Sequence, residues 1–139
     1  MASRPAVRVA HNVRMAKGIT HTRWASVTPE ALTPHVDRRY INTGRVTLAQ
    51  FDLKKGGIVP RHAHENEQIT TVLKGRLRFV LDDGDMVVAT GETIRLDPWV
   101  AHEVEVLEDA IALDVFAPVR ADWVAGTDDY FRRQPAAKP

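Results

Sequence analysis

From Val46 to Phe116 short apolar runs are cut apart by Gly, Asp and Pro, and this punctuation leaves room for strands but for few helices. Segments 46–53, 57–62, 68–73, 76–81, 86–89, 93–96, 102–107 and 111–116 read as strands. The breakers between them include Gly56-Gly57, Lys74-Gly75, Asp82-Asp83-Gly84-Asp85, Thr90-Gly91, Asp97-Pro98 and Glu108-Asp109. In 76–81, Leu77, Phe79 and Leu81 alternate with Arg76 and Arg78; in 102–107, Val104 and Val106 alternate with Glu103 and Glu105. Such period-two alternation turns one face of a strand to a core and the other to water. Many short, evenly spaced strands predict an all-β barrel or sandwich. The ends read differently. Thr28-Pro29-Glu30-Ala31-Leu32 has the signature of a capped helical turn. Residues 121–133 suit a C-terminal helix, weakened by Gly126.

The 139 residues fit one domain large enough to bury a core around a small-molecule site. We expect a flexible basic arm at 1–20, a folded domain at 21–133 and a frayed tail at 134–139. Nineteen Lys and Arg against 18 Asp and Glu give a net charge of +1, which argues against nucleic acid or an anionic membrane as the main partner. Arg4, Arg8, Arg14 and Lys17 lie in the arm without an acidic residue, but four spaced charges make a weak electrostatic footprint. With no cysteine, any metal site must use nitrogen and oxygen ligands, and a cytoplasmic location is the expectation. No apolar run is long enough to span a bilayer, and the N-terminus lacks the apolar stretch of a secretory signal.

The chemistry concentrates in Arg61-His62-Ala63-His64-Glu65-Asn66-Glu67-Gln68. Two histidines two apart on an extended segment point to one face, so both imidazoles can reach one metal. Gln68 shares their parity, whereas Glu65 and Glu67 do not. His102 opens a strand after Asp97-Pro98-Trp99-Val100-Ala101, and in a barrel that strand can lie beside the first. His62, His64, Gln68 and His102 then make a plausible site for one divalent transition metal, with positions left for water or substrate. Ligand type alone does not choose among Ni, Zn, Fe, Mn and Co. His11, His21 and His35 have no such context and read as surface residues.

These spacings resemble a known family. Gly56, His62-x-His64, Gln68 and Gly75 match the first cupin motif, and Gly91, Pro98 and His102 match the second. The resemblance spans about residues 44–118. It implies a cupin double-stranded β-helix, a jelly-roll β-barrel with a short N-terminal extension. Two positions depart from the pattern: Gln68 replaces the usual acidic ligand, and Trp99 stands where a small Gly is common before the second-motif His. Within cupins the chain looks most like the KdgF-type proteins of pectin and alginate degradation, which convert ring-form unsaturated uronates to linear keto forms. Those proteins carry glutamine as fourth ligand and a tail of the form Leu-Asp-Val-Phe-x-Pro-x-Arg. Here it reads Leu113-Asp114-Val115-Phe116-Ala117-Pro118-Val119-Arg120, so the resemblance implies active-site roles for Asp114, Phe116 and Arg120. The same tail occurs in many uncharacterised small cupins and does not fix the substrate.

Three imidazoles and an amide are neutral ligands, so a bound divalent ion keeps nearly its whole charge and favours Lewis-acid work. Asp114 sits in an apolar strand, where a carboxylate is costly unless paired or lining a wet cavity. It reads either as a general acid/base near the metal or as a structural Asp paired with an arginine. Arg120 reads as a clamp on a substrate carboxylate or as a surface residue. Phe116 suits core or substrate platform, and Trp99 a gate or rim packing. The leading expectation is isomerisation or tautomerisation (ketonisation) of an unsaturated or keto sugar acid. Competing ones are a polyketide cyclase, an iron or manganese dioxygenase, and a non-catalytic small-molecule sensor. Leu113 and Val115 make the other face of the Asp114 strand apolar too, so a homodimer is expected.

Overall fold

The computed structural model describes residues 13–132. The strands are β1 (Val13–Ala16), β2 (Ile19–Thr22), β3 (Glu30–Thr33), β4 (Val36–Asn42), β5 (Thr47–Leu53), β6 (Ile58–His62), β7 (Glu67–Leu81), β8 (Gly84–Ala89), β9 (Thr93–Leu96) and β10 (His102–Ala117). A short helix α1 (Ala121–Ala125) and a 3-10 helix (Asp129–Arg132) follow. Strands β3-β4-β5-β10-β7-β8 are neighbours in one antiparallel sheet, while β6 also pairs with β10 and β9 with β7. The sheet curls into an all-β barrel. In β5, buried and half-buried residues alternate throughout, with Thr47, Ala49, Phe51 and Leu53 inward. The core continues with Val72, Leu77, Phe79, Val104, Ala112 and Phe116.

Two of the expected breakers are corners and not turns. Lys74-Gly75 and Glu108-Asp109 lie inside continuous strands, β7 of 15 residues and β10 of 16. The register between them shifts at Val106/Glu108, Glu108/Ile111 and Ile111/Ala112, so both strands bend together. Gly75 makes this possible. Its φ is +85°, and a Cβ there would sit 2.3 Å from the Asp109 carbonyl oxygen.

Two expectations are corrected. The helical turn at 28–32 is instead the approach to β3, where Glu30 pairs with Arg38 in the ladder and Leu32 is buried. Burial of Leu32 against the barrel outweighs the local capping pattern. The helix expected at 121–133 ends at Ala125, because Gly126 adopts a left-handed conformation at φ 75° and closes the helix with its N–H. Within the arm expected at 1–20, residues 13–16 pair with 19–22 as a two-stranded hairpin, Val13 opposite Thr22. Residues 1–12 and the tail expected at 134–139 lie outside the described residues, as does His11. His21 and His35 are exposed, as expected.

Candidate metal centre

Strand pairing sets His102 of β10 directly across from His62 at the end of β6. His64 lies in the loop after β6, and Gln68 faces inward near the start of β7. His64, Gln68 and His102 are buried and His62 half-buried, whereas Glu65 and Glu67 are exposed. The parity argument for Gln68 over Glu67 therefore agrees with which side chain points inward. The potential ligand atoms of His62, His64 and His102 lie within 4.8 Å of one another.

Each imidazole is oriented by a backbone carbonyl two residues away. His62 Nδ1 is 2.8 Å from the Pro60 oxygen, His102 Nδ1 2.9 Å from the Val100 oxygen, and His64 Nδ1 3.1 Å from the Asn66 oxygen. A carbonyl only accepts, so Nδ1 carries the proton and Nε2 is left with a lone pair for a ligand. Burial pushes the pKa of all three well below the ordinary histidine value, that of His64 to about 4. The rings are thus neutral at pH 7 and competent to bind a metal.

The arrangement has a built-in test of fit. His64 Nε2 is 3.0 Å from Gln68 Oε1. In the tautomer set by Asn66 both atoms are acceptors, and the Gln68 amide N–H is committed to Thr70 Oγ1 at 2.9 Å. Two lone pairs this close repel unless a cation lies against both. Four neutral donors converging in this way suit a divalent metal ion.

The histidine cradle opens onto a partly open cavity of about 40 Å³. Asp114, Phe116 and Arg120 line it with His62, Gln68 and His102. Asp114 faces Thr70 across the β10–β7 ladder. Its Oδ1 is buried and has no hydrogen-bond partner among the described residues. Burial pushes its pKa up to about 7, against the pull of a Thr70 hydrogen bond and the Arg120 charge. Asp114 thus lines a cavity whose walls are mostly apolar, where its carboxylate is poorly solvated.

Arg120 is 1% exposed, so it is not a surface residue. Its fork is held by Asp122, with Nε–Oδ1 2.9 Å and Nη2–Oδ2 2.7 Å, and Nη2 also donates to the Tyr130 hydroxyl at 2.9 Å. The guanidinium lies over the rings of Phe116 and Trp123, 4.7 and 4.4 Å from their centroids. Burial works against the charge, but the Asp122 hydrogen bond and charge outweigh it and the pKa rises. Trp99 stands apart from this group. Its side chain is 68% exposed, it does not line the cavity, and its φ of 66° is the left-handed conformation that suits the missing Gly. Its backbone N–H donates to the His64 carbonyl at 2.8 Å, tying the second-motif loop to the first.

Several residues of the site carried no sequence signal. Asn66 donates to the carbonyls of Pro118 and Val119, at 2.5 and 3.2 Å, while its own carbonyl holds His64. Tyr130 stacks on His62 with centroids 4.0 Å apart and planes 11° off parallel. An isolated Tyr in a short, charged C-terminal segment gives no pattern from which that contact could be read.

Residues 49–116 match the family model of the cupin domain. With the barrel and its histidine cradle, this makes residues 49–116 a cupin domain. Among solved structures it is similar to KdgF from Halomonas sp., with 22% identity and a TM-score of 0.65 over 69% of this chain and 92% of that one. An RmlC-like cupin from Shewanella frigidimarina shares 23% identity and a TM-score of 0.65 over 69% and 87%. The polyketide cyclase RemF from Streptomyces resistomycificus shares 23% and 0.62 over 72% and 79%. Identities this low establish the fold alone. No curated protein matches the chain in sequence.

Proposed function

We propose that this chain is a metal-dependent enzyme that ketonises an unsaturated uronate, using His62, His64, Gln68 and His102 as metal ligands. The observation that carries the reading is a neutral four-donor cradle sharing one cavity with a buried, unpartnered carboxylate oxygen on Asp114. A divalent ion held by neutral ligands supplies a strong Lewis acid for a hydroxyl or carbonyl oxygen. The reaction is redox-neutral: an anomeric hydroxyl gives up a proton, the ring C–O bond breaks to leave an aldehyde and an enolate, and the enolate takes a proton on carbon to become the ketone. Asp114, with a pKa of about 7, can hold and release that proton near neutral pH through Oδ1. Arg120 supplies positive charge at the same cavity, which suits a substrate carboxylate. Phe116 gives an apolar wall between them.

The test is elemental mass spectrometry of protein purified without added metal or chelator, together with turnover of an unsaturated galacturonate followed by loss of its ultraviolet absorbance. About one equivalent of Ni, Zn or Co, lost in His62→Ala, is expected. Asp114→Asn should keep the metal and lose on the order of 10²–10⁴ in kcat. Iron or manganese with oxygen uptake on a candidate substrate would favour a dioxygenase instead. Protein that takes up no metal even after reconstitution would overturn the reading.

A further inference from the structure

The cavity beside the histidines, about 40 Å³, has room for a few waters. Ordinary small-molecule pockets run to roughly 300–1,000 Å³. Part of the cavity's lining is the chain's own C-terminal segment. Trp123, Tyr130 and Phe131 are all buried, all line the cavity, and all lie beyond residues 49–116 that match the cupin family model. Tyr130 occupies the face of His62, and Phe131 stacks on Phe51 with centroids 6.1 Å apart.

The two halves of this segment are held differently. Residues 121–127 carry backbone hydrogen bonds: the N–H groups of Trp123 and Val124 donate to Arg120, and that of Thr127 to Asp122. Beyond Thr127 side chains hold the chain to the barrel. Asp128 accepts from Arg38 Nη1 at 2.8 Å, and both side chains are fully buried. Arg38 in turn lies 4.2 Å from the Trp123 ring centroid and 3.3 Å from Glu30. The Tyr130 hydroxyl is the second hold, through Arg120. Gly126, with φ 75° and its N–H on the Trp123 carbonyl, ends the helix in a conformation that favours glycine, one residue before the boundary.

We propose that residues 128–131 are a hinged lid on the metal cradle, pivoting just after Thr127, and that Tyr130 is the specificity-determining residue a substrate must displace. This rests on the uronate reading only for what passes the lid. Movement of the lid lifts the phenol ring off His62 and removes one of the three hydrogen bonds on Arg120, leaving one Nη2 N–H for an incoming carboxylate while Asp122 keeps the other. Asp122 and Trp123 stay behind as the floor. The Arg38–Asp128 pair fixes how often the lid opens, since breaking it exposes a charge pair that is otherwise fully desolvated.

The chain has two tyrosines, Tyr40 and Tyr130, so 3-fluorotyrosine labelling of the full, metal-free protein gives two resonances with an internal control. Tyr40 is buried in the barrel wall. In ¹⁹F saturation-transfer spectra, Tyr130 should exchange with a minor, solvent-exposed state while Tyr40 does not. Asp128→Asn should raise that minor population on the order of 10-fold or more. Phe131→Ala, which keeps both charges, should raise it too and serves if Asp128→Asn unfolds the barrel. A single Tyr130 resonance without exchange in the wild type and in whichever variants remain folded would overturn the lid and make the segment a fixed wall. Because no metal is present, the outcome is independent of the catalytic reading. An exchanging Tyr130 in a protein that never binds metal would leave the lid and remove the chemistry. A rigid Tyr130 in an active metalloenzyme would do the reverse.

Discussion

Asp114 is kept where a carboxylate is poorly solvated, and the fold bears a cost for it that can be measured. Its folded pKa of about 7 stands above the ordinary 3.8, and desolvation by burial is the first cause. Between those values the folded state holds a proton that the unfolded state has lost. The linkage sign follows: stability falls as pH rises from about 4 to about 7, and does not return above that. Asp114→Asn removes the slope. In metal-free protein, urea denaturation should find the variant and wild type about equally stable near pH 4, and the variant more stable near pH 8 by up to about 4 kcal/mol. A variant less stable than wild type at pH 8 would mean that the carboxylate is a structural partner. The ligands beside it were legible in the sequence because His62, His64 and Gln68 are a local pattern with one parity, and His102 opens a strand. Arg38 and Asn66 were not legible: their partners Asp128 and Pro118 lie 90 and 52 positions away, and no local periodicity encodes such a pair.

At the scale of elements, the barrel depends on β7 and β10 bending together, and Gly75 is the residue without which they cannot. A Cβ at position 75 meets Asp109 O at 2.3 Å and the Ala110 Cα at 2.8 Å, on a backbone already at φ +85°. Gly75→Ala should therefore destabilise the protein by at least about 2 kcal/mol, from left-handed strain and backbone overlap together. A lowered urea midpoint with an unchanged slope is the expected reading. An unchanged midpoint would mean that the corner relaxes freely. Glycine at a corner looks in sequence like glycine at a turn, which is why 68–73 and 76–81 read as two strands and form one. β4 was hidden for a different reason. Val36, Arg38 and Tyr40 all face inward, and a buried arginine in the middle breaks the apolar alternation that marks a strand. The strands from β5 to β10 were legible because their inward positions are apolar almost throughout.

For the molecule as a whole, the outward surface of the β4–β5–β10–β7 sheet bears on assembly. Along one register row Ile41 pairs with Leu48, Leu48 with Val115, and Val115 with Ile69, so four strands present apolar side chains side by side. Ile69 is 41% exposed and Val115 36%, and Leu73, further along the same face of β7, is 51% exposed. Single exposed apolar residues are ordinary, but a contiguous row across a sheet marks a surface that gains from being covered. Val115 is the alternation partner of Asp114, so the strand that turns the candidate acid inward turns this row outward. A second copy meeting it about a two-fold axis would bury the same residues on both subunits. Size-exclusion chromatography with light scattering should therefore give twice the 15.5 kDa chain mass. Val115→Asp should shift the protein to a monomer, because it places a charge at the centre of the row on both subunits at once. Its metal content and Asp114 chemistry should remain, since the inward face is untouched. A wild-type protein that stays monomeric at tens of micromolar would refute the dimer.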